Sequence, residues 1–162
     1  MDRPSPLDNI NVPKELVLEF FAVFSRFEHA LKSRGFVFND RHDNALVDWG
    51  KFIREATPWF ENPREDVAES VNYLVNEPPY RQVMQHQSIE WERRNYPAGT
   101  PNAALILEAV KTVRNNLFHG GKHAPHSPAG RDERLIRSCL DVLYHCLDRD
   151  DSLNSEYLHW LY

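Results

Sequence analysis

The chain has 162 residues, 41% of them hydrophobic, with nine Phe, six Tyr and four Trp, which is enough for one domain with a real core. Its formal net charge is −5, opposite to the basic balance of proteins that grip long nucleic acids by the backbone, though a small site engaging a few phosphates is compatible with it. No apolar run reaches the length of a membrane span and Met1-Asp2-Arg3-Pro4-Ser5-Pro6 lacks the apolar stretch of a signal peptide, so a cytoplasmic protein with no membrane partner is expected.

Residues 1–12 are rich in Pro and Asn and read as an N-terminal arm, ahead of a single helical domain over 13–162. Pro13 opens a long helix in which Leu16, Phe20, Val23, Phe27 and Leu31 form a core-facing stripe, broadened by Phe21 and Phe24 and ended by Gly35. Some of this broad face could meet a second subunit. Residues 36–44 are polar and turn-like, and Ala45 to Ala56 reads as a short helix with Trp49, Phe52 and Ile53. Thr57-Pro58-Trp59-Phe60-Glu61-Asn62-Pro63 breaks it. Trp59 and Phe60 can either seat a base by stacking or pin the loop to the core, and burial is where large aromatics usually contribute.

Asp66 to Asn76 reads as helix, stopped by Glu77-Pro78-Pro79. Residues 80–96 read as helical in part. Here Arg81, His86, Trp91, Arg93, Arg94 and Tyr96 interleave basic and aromatic side chains, a candidate RNA-contacting surface diluted by Glu90 and Glu92. No strand alternation with hairpin turns stands out, and there is no internal repeat, P-loop or Rossmann glycine pattern.

The next helix carries the most convincing pattern. Pro101 suits its first turn and Thr100 its N-cap. Ile106, Val110, Val113 and Leu117 face the core, widened by Leu107 and Phe118, and Gly120 and Gly121 can end the helix. Lys111, Asn115 and His119 fall on a second stripe away from that core, with Arg114 at the edge of the apolar arc. Lysine, arginine and histidine are also common near helix C-termini simply because they pair with free carbonyls. After the glycines, His119, His123 and His126 cluster, but no cysteine or carboxylate completes a zinc set, so no metal and no cofactor is expected. Lys122 and His123 are better placed to contact a phosphate.

Asp132 starts a further helix, in which Leu135, Ile136, Cys139, Leu140, Val142, Leu143, Cys146 and Leu147 make an apolar arc wide enough to suggest burial on two sides, against the bundle and against a partner subunit. Cys139 and Cys146 lie two turns apart, about 10 Å along the axis and too far for a disulfide, and read as buried thiols in a reducing compartment. Ser152 to Tyr162 reads as a short amphipathic helix that docks back. The fold class expected is therefore all-α, a helical bundle.

Arg114-Asn115, followed after three residues by His119, resembles the R-x(4–6)-H signature of the HEPN superfamily, with a polar residue directly after the arginine and the motif at the end of a late helix. The flanking Leu117-Phe118-His119-Gly120-Gly121 resembles small prokaryotic HEPN proteins. The resemblance is good over the motif helix and the helix after it, and elsewhere extends only to helical character. It implies a HEPN-like helical bundle and a metal-independent endoribonuclease of the toxin or phage-defence type. RNA would be cut through its own 2′-hydroxyl to a 2′,3′-cyclic phosphate and a 5′-hydroxyl. On this resemblance His119 is the acid or base, Arg114 the fork on the phosphorane oxygens, and Asn115 the residue that orients imidazole or phosphate, with Lys111, Lys122 and His123 as phosphate contacts. It further implies a homodimer whose two motifs line one cleft, and an antitoxin protein as a further partner. Where relatives controlled by nucleotidyltransferase antitoxins often carry tyrosine, two residues after the histidine, this chain has Gly121, which speaks against adenylylation control. The rival reading is a catalytically silent HEPN-like module that binds RNA, a nucleotide or a protein.

Overall fold

A computed structural model describes residues 11–118 and 128–159. The first helix, α1 (Lys14–Ser33), forms where the sequence stripe predicts it, and Leu16, Phe20, Val23, Phe24, Phe27 and Leu31 are all buried. Gly35 ends it in the left-handed region at φ +83°, a conformation costly for any residue with a Cβ. Val12, at the inner end of the expected arm, already belongs to the core.

The chain then departs from the all-α expectation. Val37–Asn39 (β1) and Ala45–Val47 (β2) pair antiparallel across the polar turn. That turn is held by Asp40, whose carboxylate accepts from the amides of His42 and Asn44 at 2.8 and 3.0 Å. The helix expected from Ala45 thus begins only at α2 (Trp49–Ala56), because Asp48 caps it by accepting from the Lys51 amide at 2.8 Å. A 3-10 turn (Thr57–Phe60) follows, in which Phe60 is buried and Trp59 packs edge-on against Phe52 at 5.9 Å. This pair pins the segment to the core, as burial favours, and Phe60 is not available to a base.

After α3 (Glu65–Asn76), residues expected to be partly helical form the second hairpin, β3 (Tyr80–Gln85) and β4 (Ser88–Arg93), in register from Tyr80 opposite Arg93 to Gln85 opposite Ser88. Its turn places His86 and Gln87 at positive φ. The motif helix is α4 (Asn102–Phe118). The Pro101 carbonyl accepts from the Ala104 and Leu105 amides, whereas the Thr100 hydroxyl, expected to cap, turns back to the Pro97 carbonyl at 2.7 Å. Two helices close the chain, α5 (Arg131–Arg149) and α6 (Asp151–Leu158).

The described architecture is thus mostly helical, with two two-stranded hairpins, rather than all-α. α5 packs against α1, α3, α4 and α6, and α4 also meets α2, the 3-10 turn and β3. One core runs through the helices and the 3-10 turn, with Phe20, Phe27, Phe52, Phe60, Ile106, Leu107 and Leu143 fully buried, and takes nothing from β3. The wide apolar arc of α5 is covered within this one chain, down to Val142 at 0% exposure, while Tyr144 on the same helix is exposed. Cys139 and Cys146 are free and buried, and burial pushes both thiols far above their ordinary range. Among the described residues, no helix is long and apolar enough to cross a membrane.

Candidate functional site

The exposed side of α4 faces the base of the β3–β4 hairpin, and between them lies a cleft of about 370 Å³. Two of the residues singled out from sequence, Lys111 and Asn115, line it from the helix. They do so for the reason the spacing suggests: four residues apart on a helix they stack on one face, opposite the buried Ile106–Val110–Val113 stripe. Arg81 and Gln82 of β3, and Arg94 just beyond β4, line it from the hairpin. A cross-link ties the two walls together: the Asn116 amide donates to the Tyr80 carbonyl at 2.8 Å.

The three cations of the cleft are held by two carboxylates. Glu108, one turn before Lys111, divides its oxygens: Oε1 accepts from Lys111 Nζ and Oε2 from Arg94 Nη1, each at 2.8 Å. Glu92 pairs with Arg81 across the strands, with Arg81 Nε at 3.1 Å from Oε1 and Nη2 donating to the same oxygen. Side chains here are partly screened rather than buried, with Glu108 22% and Lys111 29% exposed. Three cations against two carboxylates leave this cleft one positive charge in excess, inside a protein of net charge −5. Lys111 also sits over the Trp49 ring at 5.7 Å.

Arg94 forms the wall between this cleft and a second one of about 260 Å³, lined by Tyr96, Pro97, Leu74, Val75 and Leu105. Its guanidinium lies 5.4 Å from the Tyr96 ring centre. Burial raises the Tyr96 phenol above its usual value. A polar, cationic cleft and a less polar slot walled by Tyr96 therefore share one arginine.

Arg114 takes a different place from its neighbour. It is half-buried, its guanidinium lies 5.7 Å from the Phe24 ring on α1, and its Nη1 donates to Asn115 Oδ1 at 3.1 Å. The structure thus brings Lys111 and Asn115 into one cleft and joins Arg114 to it through the Asn115 amide. His119, Lys122 and His123, together with His126, lie outside the described residues. Of the residues that sequence reasoning did not assign to the site, Thr112, Asn116 and Glu108 lie on the motif helix itself, and position relative to Lys111 was the available signal. Arg81 and Arg94 belong to the stretch flagged for interleaved basic and aromatic residues, and their meeting with α4 depends on the hairpin. No family model, curated protein or solved structure matches this chain.

Proposed function

We propose that the protein is a metal-independent endoribonuclease of the HEPN type, with RNA as substrate and the cleft between α4 and the β3–β4 hairpin as the groove that receives the RNA backbone. The observation that carries this reading is the convergence of Lys111 and Asn115, from the motif helix, with Arg81 and Arg94 on one cleft. Arginine and lysine there suit phosphate oxygens. The less polar slot beyond Arg94, with Tyr96 in its wall, suits the adjoining base or sugar. In this reading His119 moves the proton, and Arg114 and Asn115, linked through Nη1 and Oδ1, stabilise charge on the phosphorane and orient the reacting groups. A homodimer would supply a second proton-transfer group, and its basis is the resemblance alone.

The second reading, a silent RNA-binding module, is favoured by one specific observation: the cleft's cations are already neutralised in large part by Glu92 and Glu108. The test separates the two. Purified protein is incubated with total cellular RNA in EDTA, wild type beside His119→Ala. The nuclease reading expects cleavage by wild type alone, leaving cyclic-phosphate ends. Binding by both proteins with cleavage by neither would replace it with the silent module.

A further inference from the structure

We infer that Glu108 is a built-in competitor for the RNA phosphate. It occupies, between Arg94 and Lys111, the place that a backbone phosphodiester takes on binding. The inference rests on the proposal that RNA enters this cleft, and adds which groups hold the phosphate and what must leave to admit it.

The geometry points to this in three ways. First, Glu108 uses both of its oxygens, one on each cation, at equal distances of 2.8 Å. A phosphodiester also presents two non-bridging oxygens, so it can satisfy the same two donors in the same bridging manner. Second, Glu108 and Lys111 lie one turn apart on α4, whereas Arg94 comes from beyond the hairpin. A ligand that replaces the carboxylate therefore keeps the hairpin joined to the helix, and the cleft need not open. Third, Arg81 stands on the same cleft and is also held by a carboxylate, Glu92, through one of its oxygens. The next phosphate along a strand thus meets a second cation restrained by a second carboxylate. A site made of cations alone would bind any polyanion. Here each phosphate must displace a carboxylate, so only a ligand that also fills the neighbouring contacts gains enough to do so. Asn115 supplies one such contact, aimed at the same cleft.

Binding is measured by fluorescence anisotropy with a short single-stranded oligoribonucleotide, fully 2′-O-methylated so that it lacks the nucleophilic hydroxyl. Glu108→Gln keeps the shape and removes the competing charge. It is expected to tighten binding about fivefold at low salt, the scale set by part-exposed ion pairs, here those to Arg94 and Lys111, that no longer have to be broken. Glu92→Gln is expected to tighten it by a smaller factor through Arg81. Glu69→Gln removes one charge from a remote carboxylate of α3 that pairs with Arg134, and is expected to leave binding within about twofold. Adding Arg94→Gln to Glu108→Gln must abolish the gain. Thermal melts of each variant verify that the fold persists. Unchanged or weaker binding by folded Glu108→Gln overturns the inference. So does a gain matched by Glu69→Gln, or one that survives loss of Arg94, since either would reflect net charge alone. Cleavage lost in His119→Ala with no Glu108 effect would sink this inference and leave the nuclease standing. The Glu108 effect without any cleavage would do the reverse.

Discussion

Arg131 should hold the hairpin to the helical body, and replacing it by methionine should loosen both. Its side chain is 11% exposed. One guanidinium nitrogen, Nη2, donates to the carbonyls of Glu77 and Pro78 at 3.2 and 2.9 Å, and Nη1 donates to the Glu77 carboxylate at 3.2 Å. The guanidinium also lies 5.8 Å from the Tyr80 ring. These partners sit in the few residues that lead from α3 into β3, so one arginine at the start of α5 fixes the entry of the hairpin. Methionine keeps the apolar stem and removes every donor. Hydrogen bonds from a charged donor contribute about 1.5–3 kcal/mol each, but the freed carbonyls lie near the surface and regain water, so the two together are worth about 2–3 kcal/mol. The half-exposed Glu77 carboxylate adds about 0.5 kcal/mol at most, and it keeps Arg93 at 3.0 Å. For a protein of this size about 2–4 °C of Tm accompanies each kcal/mol, so Arg131→Met should melt roughly 5–12 °C below wild type. Circular dichroism gives the melt, and amide hydrogen exchange over residues 80–93 should show protection lost there first. A variant melting within about 2 °C of wild type, with hairpin protection intact, would refute Arg131 as the anchor.

Two further outcomes follow from buried polar groups. His145 is fully buried, its Nε2 lies 3.2 Å from the Trp59 carbonyl, and its Nδ1 has no partner among the described residues. Because a carbonyl only accepts, Nε2 carries the hydrogen, and burial disfavours a second proton on the ring. Burial depresses its pKa, opposed by the bond to Trp59, while Arg149 and Arg64 push it further down and Asp66 pushes it up. A histidine depressed in the folded state stabilises above its unfolded pKa of about 6.5, and that stability is lost as pH falls through the lower folded value. Wild type should therefore lose Tm more steeply than His145→Gln as pH falls from about 6.5 towards the lower folded value, because the glutamine amide can still donate to Trp59 but does not titrate; parallel curves across that window would contradict this. Asp150 caps α6 by accepting from the Ser152 and Leu153 amides, both at 2.9 Å, and pairs with Arg34 at 3.3 Å. Asp150→Ala should cost about 1–2 kcal/mol in urea unfolding, and a loss under about 0.3 kcal/mol would show that the cap is dispensable.

The long helices were legible because each has one wet and one dry face. The α1 stripe from Leu16 to Leu31 and the α4 stripe from Ile106 to Val113 are buried as the 3.6-residue period requires. The hairpins were not legible, for a physical reason that differs between them. β1 and β2 are three residues each, too short to show alternation, although the Asp40–Asn44 turn between them was visible. The β3–β4 ribbon is longer but has no dry face: Met84 and Ile89, opposite one another, are 79% and 66% exposed, and Arg81 pairs with Glu92 across the strands. With little to bury, it leaves little hydrophobic alternation in the sequence. Its turn residues, His86 and Gln87, take positive φ without the Asn-Gly or Gly signal that usually announces such a turn. The site inherits this division. Lys111 and Asn115 could be placed on one face from spacing alone, but Arg81 and Arg94 reach them only through a hairpin that the period analysis does not see.

The same division explains how an acidic chain can present a cleft lined by cations. Its net charge of −5 opposes a nucleic acid at long range, and screening confines any single pair to about 8–10 Å. Attraction must then come from groups already close to the ligand, held in place before it arrives. Glu108 and Glu92 do that holding, since without them Arg94, Lys111 and Arg81 would repel one another across the cleft. On the proposed reading those carboxylates have two effects of opposite sign: they preorganise the cations, which favours binding, and they compete for them, which opposes it. Removing one carboxylate should therefore tighten binding only so long as the hydrogen bond from Asn116 to the Tyr80 carbonyl keeps the two walls in register. Asn116→Ala combined with Glu108→Gln should lose the gain that Glu108→Gln shows by itself, because the freed cations would then be free to separate as well as to bind.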